Sequence, residues 1–134
     1  MINIRKAIRN ERGSQLLEFL AIFPLIIFAF LFIWQMALAA YSIVIAEVSA
    51  RDGARVAAIM EDFSGGEVEY AVNQAAKSLE VRNVNVKEGS TSYGREVTVE
   101  VQVQMRTIDV PFIGELDFPI TGDATMPYEV DDDD

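Results

Sequence analysis

The sequence predicts an α+β chain: a long N-terminal transmembrane helix that extends into a small domain, where one amphipathic helix lies on a three-stranded antiparallel sheet. Three observations carry that class. Residues 19–46 hold no formal charge across twenty-eight positions. Apolar residues at Val68, Ala71, Val72, Ala75, Ala76 and Leu79 then repeat at helical spacing. From Val97 to Met105 the period switches to two, as a half-buried strand requires.

The totals narrow the function classes. At 134 residues the chain has room for one compact domain beside the apolar run. The formal charge of −10 is uneven: residues 1–13 carry four bases and one acid, and the remainder carries seven bases and twenty acids. So acidic a body disfavours nucleic acid as a partner, because that role needs clustered Lys and Arg. With no cysteine and no histidine, the chain lacks thiolate metal ligands, disulfides and the usual general base. No nucleophile–base pair, phosphate loop or cofactor motif is present, so the sequence reads as a non-enzyme.

The helix comes first. Twenty-eight residues of helix span about 42 Å at ~1.5 Å per residue, and a bilayer core needs only about 20 apolar residues. The span is expected to run to about residue 36–46, within a longer helix covering residues 14–61. Arg5, Lys6, Arg9 and Arg12 precede it and acids follow it. The positive-inside rule therefore places residues 1–13 in the cytoplasm and the body outside. Glu18 stands at the lip of the run, where a carboxylate either finds a cationic partner or snorkels to the headgroups beside Arg12. Pro24 removes a helical N–H and invites a kink at Leu20, which membrane helices tolerate. Trp34 and Tyr41 suit an interfacial belt.

Past Ala46 the helical pattern continues. Glu47 and Arg51 form an i,i+4 pair. Ala50, Gly53, Ala54 and Ala57 give a face of small residues, suited to close packing either on the chain's own sheet or on a neighbouring helix. The turn at residues 62–66 ends this helix, and residues 67–79 form the second. Its acidic start suits a soluble helix on a sheet, since acids favour helix N-termini. Val84 and Val86 mark a first strand, residues 88–94 a turn, and Val97 to Met105 a second strand. Pro111, Gly114 and Pro119 punctuate a loop. Ile120, Ala124, Met126, Tyr128 and Val130 share one parity in a third strand, with Gly122 as a bulge candidate. The small domain covers residues 62–130. Residues 131–134 are four aspartates, read as a solvated tail for want of the glycine-punctuated spacing of a calcium loop.

The stretch Gly13-Ser-Gln-Leu-Leu-Glu18-Phe19 resembles the class III leader of type IV pilin-like proteins. The longer run from Arg12 through Ile26, with Pro24 and the box Ala50-Arg-Asp-Gly-Ala-Arg-Val-Ala-Ala58, is similar to the TadE-like branch, the pseudopilins of tight-adherence (Tad/Flp) pili. The resemblance covers about residues 10–60. It implies a pilin-like fold, cleavage between Gly13 and Ser14 by a prepilin peptidase, and retention of the apolar helix on the mature chain. It also implies a register role for Glu18, which would face the new Ser14 amine within one turn. The implied partners are that peptidase, other pilin subunits, the assembly platform and membrane lipid, with no cofactor. The implied place is the bacterial cytoplasmic membrane and then the pilus, and the body's size resembles minor or assembly-promoting subunits. Two alternatives stay open. One is release of a soluble binding module by signal peptidase after Ala39, within the small-x-small triplet 37–39. The other is a permanent single-pass anchor that never polymerises.

Overall fold

A computed structural model describes residues 11–60, 62–107 and 117–128. The chain runs α1 (Glu11–Ala57), α2 (Glu67–Ala75), β1 (Glu80–Thr91), β2 (Gly94–Gln104) and β3 (Pro119–Pro127). It divides into two units, Met1–Met36 and Ala37–Asp134. The class is the expected α+β, with one long apolar helix, one short helix and a three-stranded antiparallel sheet.

The described part of the first unit is helix alone, and none of residues 13–36 is buried. Long runs of Leu, Ile, Phe and Ala favour helix or tolerate it when their surroundings are apolar. The helix passes through Pro24 without a break.

The second unit has its own core. Its sheet has the order β1-β2-β3, antiparallel throughout. β2, in the centre, turns Val97, Val99, Val101 and Val103 inward, all fully buried. Its alternate residues, Thr98, Glu100, Gln102 and Gln104, are only half exposed, because strands flank β2 on both sides. Onto the valine face pack the α1 stripe Ser42, Ala46, Ser49, Ala50, Gly53, Ala54 and Ala57 and the α2 pair Val68 and Val72. The spacing of that stripe, three and four residues, is one face of a helix.

Glycine sets the distance at two points. A Cβ on Gly122 would fall 2.5 Å from the carbonyl carbon of Ala46 and 2.7 Å from the nitrogen of Glu47, so β3 and α1 touch backbone to backbone there. A Cβ on Gly53 would lie 2.7 Å from Val72 Cγ2 and 3.1 Å from Val99 Cγ1. Both glycines allow close approach of layers.

Several boundaries differ from the sequence reading. α1 begins at Glu11 and ends at Ala57, short of residue 61. Its last turn tightens, with Ile59 N–H on the Val56 carbonyl at 3.3 Å and Met60 N–H on the Ala57 carbonyl at 3.2 Å. The Tyr128 hydroxyl donates to the Met60 carbonyl and so caps the exit from the strand side. α2 stops at Ala75, yet Ala76 and Leu79 remain buried because the turn after it stays on the sheet. The β1–β2 turn is only Ser92 and Tyr93, since pairing continues to Thr91 and Gly94. Gly122 is no bulge. It pairs in regular register with Val101, and the irregularity lies between Val81 and Asn83 on β1. The loop containing Pro111 and Gly114, together with Val130 and residues 131–134, lies outside the described residues.

Candidate functional site

The surface that stands out is the side of α1 that its own domain does not cover. Residues 13–57 form a helix apolar and long enough to cross a membrane, and no part of its most apolar window is buried within the protein. Leu16, Phe19, Leu20, Leu25, Phe28 and Ile33 are each about two-thirds exposed. Rings four residues apart meet along it, Phe19 with Phe23 at 5.9 Å and Phe30 with Trp34 at 6.3 Å between centroids. Water around so much hydrocarbon is unfavourable by roughly 25 cal/mol per Å². Such a helix needs lipid or another apolar surface.

Within the second unit the same helix has two sides. The fully buried residues of the inward side are no larger than serine, with Ile45 and Val56 packed partly buried beside them, and its two serines bury their hydroxyls by bonding back into the helix. Ser42 Oγ donates to the Leu38 carbonyl at 2.9 Å, and Ser49 Oγ to the Ile45 carbonyl at 2.6 Å. That local bond lets a polar residue sit in an apolar contact. On the outward side Tyr41, Ile43, Val44 and Val48 remain roughly half exposed. The second unit therefore carries an exposed apolar stripe of its own on α1, with Glu47 and Arg51 beside its C-terminal end. Their charged atoms stand 4.0 Å apart and are well solvated, so the pair contributes little.

The residues singled out by sequence fall into three groups. Gly13 and Ser14 lie within the first turn of α1, and Glu18 is exposed on its second turn with no hydrogen bond or ion pair among the described residues. Pro24 lies within the exposed apolar stretch. Ala50, Gly53, Ala54 and Ala57 are fully buried against α2 and the sheet, so this face is occupied by the chain's own domain. Tyr41, expected as an interfacial anchor, donates its hydroxyl to Ser78 Oγ at 2.7 Å. The described residues contain no group of three His, Cys, Asp or Glu placed to hold a metal.

Two features escaped the sequence reading. Ser42 and Ser49 join the buried stripe, although their i+7 spacing alongside the alanines was there to find. Arg95 lies 4.7 Å over the Tyr128 ring, a cation–π contact between strands that no local pattern announces. Comparison with protein-family models, with curated proteins and with solved structures returns no match.

Proposed function

We propose that the chain is a TadE-like pseudopilin: a minor subunit of a tight-adherence, type IV-like pilus, matured by a prepilin peptidase and acting in pilus assembly and surface adhesion. It is held in the cytoplasmic membrane by α1, with its N-terminus inside and its small domain outside, and from there enters or primes the filament. One observation carries the reading. From Leu16 to Met36 the helix offers exposed apolar side chains along about 31 Å at ~1.5 Å per residue, already enough for a bilayer core about 30 Å thick, and the second unit's own part of the helix leaves Tyr41, Ile43, Val44 and Val48 exposed besides. Those four side chains are apolar helix surface beyond what one bilayer crossing uses, and neighbouring subunits are the natural cover for them. Glu18, at the start of the run and without a partner among the described residues, is suited to pair with a Ser14 amine once Gly13 is removed.

A second reading has a specific observation in its favour. The first buried residue of the second unit is Ser42. Cleavage after Ala39 would therefore keep every buried residue of the module, while removing the Leu38 carbonyl to which Ser42 Oγ donates. Against it stands the outward stripe Tyr41, Ile43, Val44 and Val48, which a freely soluble module would leave in water. Intact mass of the processed chain separates the two. The pilin reading expects a mature start at Ser14, and a start at Ala40 rejects it.

A further inference from the structure

We infer that the end of the second unit at which α1 enters it is a docking surface for anionic phospholipid headgroups, built on Lys77, Arg82, Arg106 and Phe118. The inference rests on reading α1 as a membrane helix.

The position follows from contacts inside the second unit. Tyr41, one turn into this unit, bonds Ser78 at the close of the α2 connection. Ser78 lines an open depression of about 670 Å³, together with Lys77, Arg82, Arg106 and Asp117. The sheet register agrees: β1 begins, β2 ends and β3 begins here, with Glu80 opposite Gln104 and Gln104 opposite Pro119. Three of the second unit's seven bases therefore gather at the end of this unit where Tyr41 bonds Ser78.

Their partners leave charge over. Arg82 Nη1 holds Asp117 Oδ2 at 2.8 Å, a pair that is neutral overall. Lys77 and Arg106 are exposed and make no ion pair among the described residues. Among the described residues the remaining acid of the depression, Glu80, offsets only one of them. An acidic body that collects unmatched bases at one end presents that end to negative charge. Beside them stands Phe118. Its carbonyl accepts the Met105 N–H at 3.2 Å, which fixes the backbone, while its side chain stays half exposed. Aromatic rings and bases side by side suit the headgroup zone, where one takes the acyl boundary and the other the phosphates. The depression is wide and open, which fits a lipid surface better than an enclosed small anion.

The test uses the full chain in nanodiscs of phosphatidylcholine alone or with phosphatidylglycerol. The chain has three lysines, Lys6, Lys77 and Lys87. Lys87 pairs with Glu100 at 2.8 Å and serves as the internal control. Amine acetylation of Lys77, read by mass spectrometry against Lys87, should slow about fivefold in the anionic discs at low salt. High salt should remove that protection, and Arg106→Gln should remove most of it. An unchanged Lys77-to-Lys87 ratio overturns the inference. So does equal protection by inorganic phosphate in the neutral discs, which would mean a small-anion pocket. A chain that fails to enter either disc overturns the membrane reading of α1 and this inference together, whereas insertion with an unchanged ratio overturns the inference alone.

Discussion

Two stretches of one helix follow opposite rules. Most of residues 16–34 are large aliphatic or aromatic side chains left exposed; residues 42–57 turn a stripe of Ala, Gly and Ser inward, and that stripe is buried. Hydropathy alone would rank the first stretch as the better core. The difference is distance. Where α1 meets β3, the Ala46 backbone comes so near Gly122 that no side chain fits between them. A helix this close to a sheet can bury only small side chains, and the valines of β2 supply the bulk from the other side. Large apolar residues on a helix whose own domain is satisfied by small ones are therefore surface for something else.

The largest expected effect strikes the close contact. Gly122→Val places a branched side chain against helix backbone that cannot rotate away, and overpacking of this kind costs about 3 kcal/mol or more. Amide exchange along β2, in the full chain in micelles, should become fast. Retained protection would show that the helix can lift off, breaking the contrast. Next comes a pair of substitutions in the two regions. Val101→Ala deletes buried methyl groups and should destabilise the small domain by about 2 kcal/mol. Leu25→Ala should leave β2 exchange unchanged, since Leu25 is two-thirds exposed and lies in the other unit. A matching loss from both would mean that the first stretch supports the core after all.

Much of this arrangement was legible beforehand, for physical reasons. The apolar run, the 3–4 spacing of α2 and the alternation of Val97 to Met105 are strong because each reports a single buried face. The α2 end and the turn at Ser92 and Tyr93 were misplaced because burial outlasts the helix in one case and pairing outlasts the valines in the other. Gly122 was misread because a glycine in a strand signals either a bulge or a close neighbour, and the neighbour is seventy-six positions earlier in sequence. At the candidate surface, sequence announced the exposed hydrocarbon but not where Tyr41 bonds. It also left open whether the small face served the domain or a partner, since both uses want the same residues.

The two glycines refine the contrast with smaller effects. Gly53→Ala meets methyl groups of Val72 and Val99 that can shift by rotating, and alanine returns up to about 1 kcal/mol of helix propensity. The net loss should be within about 1 kcal/mol. Gly122→Ala has no such relief and should cost about 2 kcal/mol. Denaturant midpoints followed by exchange of the Val99 and Val101 amides compare them directly. Equal losses would mean that backbone and side-chain neighbours yield alike at this interface.

The smallest effect belongs to the link between α1 and α2. The Ser64 N–H reaches Asp62 Oδ1 at 2.9 Å and its hydroxyl donates to Oδ2 at 2.8 Å. The backbone bond first, and the hydroxyl bond second, hold the Asp62 carboxyl below its ordinary value of 3.8. A carboxylate whose folded pKa is depressed stabilises the fold above its unfolded pKa, and that contribution fades as pH falls through the folded one. The link should therefore loosen only below about pH 4, seen as faster exchange of the Ser64 amide. Asp62→Asn should abolish this acid limb, because the amide does not titrate. Ser64→Ala should weaken it while leaving it visible, since the larger cause is the backbone N–H that alanine retains. The group is fully exposed, so water screens the interaction and the core valines of β2 should not register the change. If acid loosened β2 together with the link, the two helices and the sheet would be unfolding as one body, and the tight backbone contact at Gly122 would no longer be what sets the domain's stability.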